Sequence, residues 1–407
     1  MYESDNLKFS PIIIDYDYGI LHSASGQIAR VFWQKNAEKQ FDPVIVCSKA
    51  DTSLCSRSKL IQIEDNLLVR YMLALFRKLG LSDLSHLPDV KRFSWMPQVL
   101  RFFSNKPCFK YDYVHSISCP DSSHLIAMEL KRMYGLPWVA QFNDPWINNE
   151  AKRYKFEFFR RKAEIEERLV AENADLIIHS NEVIYQDWID RYGDLVVNKM
   201  TVIPLSYNIP QLPEVGPIEK IGNKIRIFHI GHIYGQRSAR SFFDAVAELK
   251  RNNLQAYYLL EVYFIGSISD NEVNYAYSLG IHDVVHVLGV MPPEELDKYY
   301  RMADIFLVID MNVAKSPSFP SKLMLYHYWR KPIIGITTQG SAIKFDLEAS
   351  GHRAFLFDDV TSMSEYLLEA IINYQGLCTF DKDYWQKFTV ERVTQIYKYN
   401  LLQMLER

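Results

Sequence analysis

Basic side chains stand where two segments of the sequence should pass from a strand into a helix. Arg237 and Arg240 follow the glycine-containing segment FHIGHIYGQ, and Lys322 follows Ser321. A cation at the amino end of a helix is unfavourable unless an anion lies nearby, because the helix dipole is positive there. Guanidinium groups bind phosphate through paired hydrogen bonds. The pattern therefore indicates a phosphate or diphosphate bound by Arg237, Lys322 and the backbone around Ser321. Solvated surface cations are the alternative.

A turn rich in small residues precedes the first predicted helix. The segment ILHSASGQIARVF (20–32) places Gly26 among serine and alanine after a strand. Small residues allow a ligand close to the backbone, and the free N–H groups of a helix start attract phosphate. Gly26 is therefore a candidate for binding the phosphate of a ligand, with a tight turn as the alternative. This segment has no GxGxxG motif, and no acidic residue stands where a dinucleotide ribose would need one.

The histidines and cysteines do not indicate a metal site. His115, His179 and His229 lie within or at the ends of apolar strands, where a hydrogen-bonded core histidine is the usual role. The one HxxxH spacing, from His282 to His286, runs into the predicted strand 284–290, no clustered acidic spacing suggests a metal, and the five cysteines form no CxxC pair. We therefore expect no metal, no cofactor and a reducing, cytoplasmic compartment.

Composition limits the class of protein. The 407 residues are 48% hydrophobic and 23% charged, which is typical of a globular chain of two or three domains. A net charge of −3 argues against nucleic-acid binding through bulk charge. The amino terminus does not resemble a signal peptide, and no apolar run approaches the roughly 20 residues of a membrane-spanning helix. We expect a soluble protein, or one that sits on a membrane surface.

Alternating strand and helix patterns position these residues. Apolar runs that read as buried strands lie at 11–17, 43–49, 111–118, 137–144, 174–181 and 200–207, and again at 224–231, 260–266, 284–290, 303–310, 331–338 and 352–359. Helical patterns lie between them, as at 122–134 and 156–173, and 388–406 forms a last helix. This alternation predicts an α/β fold with two Rossmann-like, doubly wound domains. The alternatives are two unrelated α/β domains or one mixed domain.

A proline-rich segment separates the two strand series. Residues 208–223 (NIPQLPEVGPIEKIGN) have no apolar period, which is typical of a linker. We therefore predict an amino-terminal domain at 1–207, a second domain at 224–385 and a terminal helix at 386–407. Ligands of such sheets bind outside the carboxyl ends of the strands.

Four segments carry a family resemblance. PSKLMLYHYWRKPII (320–334) resembles the donor-site helix and following strand of glycosyltransferases with the GT-B fold, especially family 4. LGIHDVVHVLGVMPPEELDKYYRMADIFLVI (279–309) is similar to their second-half pattern. GLPWVAQFNDPW (135–146) and ENADLIIHSNE (172–182) look like two first-half segments. Together, these matches cover most of the chain between residues 111 and 340.

The resemblance implies a fold and a reaction. Its members have two Rossmann-like domains facing a central cleft, and their carboxyl-terminal helix crosses back to the first domain. They transfer a sugar from a nucleotide-sugar to an acceptor hydroxyl with retention, generally without a bound metal. For this chain, it implies a nucleotide-sugar donor on the second domain and a saccharide or lipid-linked acceptor on the first. Polysaccharide or glycoconjugate biosynthesis is the expected setting.

Three residues of the first half are candidates for the acceptor side. Asp144 ends a predicted strand, where its carboxylate could bond a hydroxyl and assist its deprotonation; a cap of the turn before Pro145 is the alternative. Trp146 could stack on a sugar face. His124 lies at a predicted helix start on the same side. Asp144 is the candidate catalytic residue among them.

The sequence departs from the family pattern at the donor side. His232 stands where a basic residue often follows the glycine, so the family's diphosphate-binding Arg/Lys pair is represented cleanly only by Arg237. The two glutamates that the family usually carries correspond to Pro317 and Leu325. A ribose contact is then lost or supplied elsewhere, and Asp310 is the nearest acid at a strand end. These departures leave open a catalytically degenerate protein with a binding or scaffold role.

Two further alternatives concern the reaction and the surface. A nucleotide-sugar 2-epimerase shares the two-domain fold, although no set of carboxylates and a histidine indicates its site. Residues 91–113 and 151–162 interleave basic and aromatic residues. Such segments suit peripheral contact with an anionic membrane, and a solvated helix face with aromatic residues in the core is the equal alternative.

Overall fold

A computed structural model describes residues 8–20, 24–37, 40–51, 59–79, 89, 91–106, 110–149, 154, 156–207 and 222–407. The chain divides into two units. One comprises Met1–Asn208 and Lys387–Arg407, and the other comprises Ile209–Gln386. Most of the predicted linker, residues 208–221, lies outside the described residues.

The strands are short and mostly apolar. In chain order they are β1 (Pro11–Ile14), β2 (Val44–Cys47), β3 (Lys59–Gln62), β4 (Tyr113–Ile117), β5 (Trp138–Phe142), β6 (Leu176–His179), β7 (Met200–Val202), β8 (Ile225–Ile230), β9 (Leu260–Ile265), β10 (Val285–Gly289), β11 (Ile305–Ile309), β12 (Lys315–Ser316), β13 (Ile333–Thr337), β14 (Gly340–Ser341) and β15 (Arg353–Leu356). Each predicted strand contains an observed one. Three observed strands, β3, β12 and β14, were not predicted.

Helices connect the strands. They are α1 (Ala24–Ala37), α2 (Leu67–Lys78), α3 (Lys91–Ser94), α4 (Met96–Ser104), α5 (Ser122–Tyr134), α6 (Glu157–Asn173), α7 (Glu182–Tyr192), α8 (Arg240–Asn252), α9 (Leu254–Tyr258), α10 (Asp270–Ser278), α11 (Leu296–Met302), α12 (Lys322–Tyr328), α13 (Ala342–Ala349), α14 (Val360–Ile372) and α15 (Val390–Leu405). Among the described residues, no helix is long and apolar enough to cross a membrane.

The first unit is built on a parallel sheet with the strand order β3-β2-β1-β4-β5-β6-β7. Strand β1 lies between β2 and β4, with Ile12 opposite both Val44 and Val114. The chain therefore winds outward in one direction from β1 and in the other from β4. That reversal opens a crevice at the carboxyl ends of these two strands, as in doubly wound folds.

The second unit repeats this plan with the order β10-β9-β8-β11-β13-β15. Its reversal lies between β8 and β11, which pair in parallel through Ile227 and Ile305. A separate short pair joins β12 to β14. The predicted α/β class with two doubly wound sheets is confirmed.

The last helix belongs to the first unit. On α15, Tyr397 and Leu401 are buried in the same apolar core as Trp33 of α1. The Tyr397 hydroxyl lies 3.0 Å from that of Tyr113 and 2.8 Å from Nδ1 of His115. Strand residues of the first sheet thus bind the end of the chain through buried hydrogen bonds.

Candidate functional site

The carboxyl ends of β8 and β11 meet where the second sheet reverses its strand order. Gly231 follows β8 with φ of +144°, a conformation that side chains rarely adopt. A Cβ at this position would lie 2.9 Å from Nζ of Lys322 and 3.3 Å from its Cδ. The absence of a side chain at Gly231 therefore allows the lysine to lie across the end of the strand.

The amino group of the Lys322 side chain is buried. Its Nζ lies 3.0 Å from Nε2 of His229. Burial, and then the positive charge of nearby Arg237, lower the pKa of the Lys322 ammonium group to about 7. None of the ion pairs between described residues includes Lys322. An anion that bound beside Lys322 would therefore meet a cation that no carboxylate already neutralises.

Arg237 lies in the loop before α8. Its guanidinium donates a hydrogen bond to Oγ of Ser318 at 3.2 Å and lies 5.0 Å from the ring centre of Tyr234. Arg237 influences the pKa of Lys322, so the two predicted diphosphate ligands lie near each other. Because Ser318 is a neutral partner, the positive charge of Arg237 is not cancelled by this contact.

Arg240 has a different role. Its Nε lies 3.1 Å from Oε1 of Glu272, which also accepts hydrogen bonds from the Ser238 hydroxyl and the Ala239 backbone N–H. This carboxylate from α10 supplies the anion that the sequence led us to expect at the start of α8. Arg240 therefore gives no evidence for a phosphate, whereas Arg237 still does.

His232 adds a donor to the same edge. Its Nδ1 accepts the backbone N–H of Ser267 at 3.0 Å and lies 2.7 Å from the Ser267 hydroxyl. The ring proton is then on Nε2, which belongs to an exposed side chain. His232, which replaces the basic residue of the family pattern, thus presents an N–H group next to Gly231.

Ser321 occupies the N-cap position of α12, and its side chain makes no capping hydrogen bond. The helix itself is fixed to the end of β8, because the backbone N–H of Ile230 donates to the Tyr326 hydroxyl at 2.9 Å. Leu325 is half-buried and Pro317 is buried at the positions where the family carries glutamates. The structure therefore brings Lys322, Arg237 and Ser321 to one edge of the sheet.

Asp310 follows β11 at the strand end where the sequence placed it, but its carboxylate is buried. It is 0% exposed, and its carboxylate accepts hydrogen bonds from the hydroxyls of Ser316, Thr337 and Ser341. Burial raises the pKa of Asp310, while these hydroxyls stabilise its charged form. Asp310 connects β12 and β14 to the end of β11, and the structure does not bring it to a surface that a ribose could reach.

Gly26 serves the packing of its own turn. A Cβ there would lie 2.0 Å from the carbonyl oxygen of Asp17, and the Gly26 carbonyl accepts the N–H of Gly19 at 3.0 Å. The close approach predicted for a ligand is therefore made by the loop after β1. Its predicted donor contact has no support in this geometry.

The three acceptor-side candidates differ in their exposure to solvent. Asp144 is exposed after the end of β5. Trp146 is 1% exposed within an apolar core, and His124 is 0% exposed, with Nδ1 2.8 Å from Oγ of Ser116. In this structure both rings pack inside the unit, where they offer no face to a sugar. Asp144 stays the candidate that an acceptor could contact.

The two segments rich in basic and aromatic residues, 91–113 and 151–162, differ in the exposure of their aromatic side chains. In 91–113, Trp95 and Phe103 are buried, as the core alternative predicted. Residues 151–153 and 155 lie outside the described residues, but Phe156 and Phe158 are exposed just after them. Among the described residues, no group of three or more histidine, cysteine or acidic side chains could hold a metal ion.

Comparison with solved structures identifies the architecture. HepE of Anabaena in complex with UDP matches with a TM-score of 0.69 and 11% identity over 97% of this chain and 100% of that one. Sucrose-phosphate synthase from Thermosynechococcus elongatus matches at 0.64 and 12% over 98% and 100%. WaaG, a glycosyltransferase involved in lipopolysaccharide biosynthesis, matches at 0.62 and 11% over 97% and 98%.

The chain has the GT-B fold. Identities this low establish the fold alone, and neither a family model nor a curated protein sequence matches the chain. Within the GT-B fold, the cationic edge described above lies on the second Rossmann-like unit. The sequence pointed to Lys322 and Arg237 through their unfavourable positions near helix starts.

Two contributors to this edge were missed. The role of His229 depends on its partner Lys322, which is far away in the sequence, and His229 resembles any other histidine in a buried strand. Ser318, the partner of Arg237, lies in a loop with no distinctive pattern. The PSK sequence that follows (320–322) marks the start of α12 but gives no sign of this contact.

Proposed function

We propose that this protein is a glycosyltransferase. It would move a sugar from a nucleoside diphosphate sugar to a hydroxyl of a saccharide or lipid-linked acceptor in polysaccharide or glycoconjugate biosynthesis. One observation carries the proposal: Lys322 and Arg237, without carboxylate partners among the described residues, lie within electrostatic reach of each other at the switch point of a GT-B unit. HepE, a structural neighbour, has been crystallised with UDP and with UDP-glucose.

The chemistry follows from the charge that develops. When the bond from the anomeric carbon to the diphosphate oxygen breaks, the departing nucleoside diphosphate gains negative charge. Lys322 and Arg237 would stabilise this charge through charge-assisted hydrogen bonds, with His232 Nε2 as a further donor. The acceptor oxygen bonds to the anomeric carbon and loses its proton, a step that the exposed carboxylate of Asp144 is proposed to assist. We propose that the acceptor oxygen bonds to the same face of the anomeric carbon from which the diphosphate leaves, which retains the configuration, and that no metal is required.

Thermal-shift measurements test the donor site directly. UDP-, GDP-, ADP- and CDP-sugars are screened against the parent protein, since a ligand at 100 times its Kd stabilises the fold by about 2.7 kcal/mol. We expect one nucleotide class to stabilise the parent. Lys322→Ala and Arg237→Ala should each weaken binding about 10- to 100-fold, because a hydrogen bond to a charged group contributes about 1.5–3 kcal/mol.

Arg240→Ala is the matched control. It removes an arginine near the same helix start whose charge Glu272 already balances. The control should bind the nucleotide-sugar as the parent does. Equal stabilisation of the parent, Lys322→Ala and Arg237→Ala by the ligand would refute the donor-site assignment.

Two rival functions are separated by further readouts. The residues at positions 317 and 325, which are not acidic, favour a degenerate protein, which would release no nucleoside diphosphate with any acceptor. A 2-epimerase would exchange the hydrogen at C2 of the donor sugar with solvent in the absence of acceptor.

The metal requirement is tested by measuring sugar transfer in EDTA. Transfer that persists in EDTA would support the metal-independent mechanism, and transfer lost in EDTA would contradict it.

We also propose peripheral contact with an anionic membrane through α2. Leu68, Tyr71 and Leu75 are 79%, 73% and 54% exposed on this helix. Arg70 and Lys78 are exposed on the same helix, which contains no acidic residue. An amphipathic helix of this kind places its apolar side chains among acyl chains and its basic side chains beside lipid phosphates.

A further inference from the structure

His229 lies at the switch point itself. It is 0% exposed on β8, and its Nδ1 lies 3.0 Å from the backbone carbonyl oxygen of Leu307 on β11. A carbonyl oxygen can only accept, so Nδ1 must carry the proton of this hydrogen bond. The imidazole therefore links the two strands between which ligands of doubly wound sheets bind.

The other ring nitrogen faces Lys322. Burial, and then the charge of Lys322, hold the pKa of His229 well below its ordinary value, so the ring is neutral. With the proton fixed on Nδ1, Nε2 offers a lone pair. Nζ of Lys322 lies 3.0 Å away and donates to it.

We propose that His229 is a positioning residue for Lys322: it accepts one N–H of the lysine and holds the amino group across Gly231, in reach of a bound diphosphate. This inference rests on the proposed function, because the diphosphate is its object. A carboxylate in the same place would also fix the lysine, but it would cancel the charge that the diphosphate requires. A neutral imidazole fixes the position and leaves the charge available.

Other charged groups bear on the same pair. Arg237 lies near enough to lower the pKa of both Lys322 and His229. Strand β9 contributes Phe264 beside the imidazole, with ring centres 5.6 Å apart. Leu307 of β11 contributes its backbone carbonyl. Lys322 is therefore the group whose protonation changes with pH at this site, and His229 and Arg237 are its polar neighbours.

Two amide substitutions separate the two bonds of the imidazole. His229→Asn places an amide N–H near the position of Nδ1, which keeps the bond to Leu307 but removes the acceptor for Lys322. His229→Gln extends an amide oxygen toward the position of Nε2 and restores that acceptor. UDP-glucose affinity by calorimetry between pH 6 and 8.5 is measured for both variants and the parent. Thermal unfolding without ligand confirms that each variant is folded.

We expect His229→Asn to weaken UDP-glucose binding about tenfold. We also expect the midpoint of the profile, meaning the pH above which the affinity begins to fall, to shift to lower pH. The shift follows because loss of a hydrogen bond to the charged form lowers the pKa of an amine. His229→Gln should restore both affinity and midpoint. A purely structural role would lower thermal stability without moving the midpoint.

The outcomes distinguish the inference from the proposed function. If the parent binds UDP-glucose, Lys322→Ala weakens binding and His229→Asn behaves as the parent, the positioning role fails while the donor site stands. If UDP-glucose binds the parent and Lys322→Ala equally, the donor-site assignment fails and the inference with it. If the parent does not bind UDP-glucose, the same comparison with GDP-, ADP- and CDP-glucose decides both. Failure of all four would overturn both proposals.

Discussion

Lys322 combines a buried amino group with a cationic neighbour, and each lowers the proton affinity of its ammonium group. With a pKa of about 7, the Lys322 amino group of the free protein loses its proton near neutral pH. A bound diphosphate favours the charged form and raises this pKa. Ligand binding above pH 7 must therefore be accompanied by uptake of a proton.

The expected result is a pH-dependent affinity. UDP-glucose, whose diphosphate has no ionisation near neutral pH, should bind with constant affinity below pH 7. Its Kd should then rise toward tenfold per pH unit above pH 7, because a growing fraction of Lys322 is neutral. Calorimetry in buffers of different ionisation enthalpy measures the proton uptake.

Lys322→Arg provides the control, since arginine stays charged throughout this range. Its affinity should not fall between pH 7 and 8.5. A parent protein with a flat profile and no proton uptake would contradict the assignment of Lys322 to the diphosphate.

Individual residues also show how far function can be predicted from sequence. Lys322 and Arg237 could be found because a cation near a helix start is locally unfavourable. Asp310 fits an equally plausible pattern, an acid at a strand end, but its actual partners are three hydroxyls from other segments. Sequence position shows where a side chain begins, whereas its hydrogen-bond partners depend on tertiary contacts.

At the scale of elements, periodicity predicted the buried structure well. Helix α5 has the bounds predicted from its apolar spacing, and the strand runs were found because burial on both faces leaves a continuous apolar signature. Strand β3 was missed because it is half-exposed at the edge of its sheet. Helix α2 departs from the usual interpretation of an apolar helix face, because its apolar residues Leu68, Tyr71 and Leu75 face outward and not into a core.

The outward face of α2 can be tested on vesicles. Leu68→Asp combined with Leu75→Asp should reduce binding to vesicles containing phosphatidylglycerol at least tenfold, because each buried leucine contributes about 1.5–3 kcal/mol. Binding is measured by vesicle sedimentation. Vesicles of phosphatidylcholine alone should bind the parent more weakly, because they lack the negative charge that attracts Arg70 and Lys78.

Ile372→Asp is the matched control, since Ile372 is 74% exposed on α14 of the second unit. This variant should bind vesicles as the parent does. If all three proteins sediment equally, or none does, α2 is not a membrane-binding helix.

At the scale of the whole molecule, the first unit is assembled from both ends of the chain. Leu401 of α15 is 0% exposed in the core that contains Trp33 and Tyr397. Leu401→Ala should lower the free energy of unfolding of this unit by about 2–5 kcal/mol through the cavity that it leaves. Hydrogen exchange should report lost protection in β1 and β4 and unchanged protection in β8 and β9.

Tyr399→Ala serves as the control on the same helix, because Tyr399 is 67% exposed. Its effect should stay within about 0.5 kcal/mol, as is usual for surface substitutions. Equal loss of protection in both units after Leu401→Ala would mean that the two units unfold together.

The discontinuous first unit has a consequence for synthesis on the ribosome. Translation delivers all of Ile209–Gln386 before the segment Lys387–Arg407 that completes the first unit. Domains usually acquire their structure in the order in which they emerge. Here the later-made unit can finish first, while the earlier one must wait, with part of its apolar surface uncovered, until α15 has emerged from the exit tunnel.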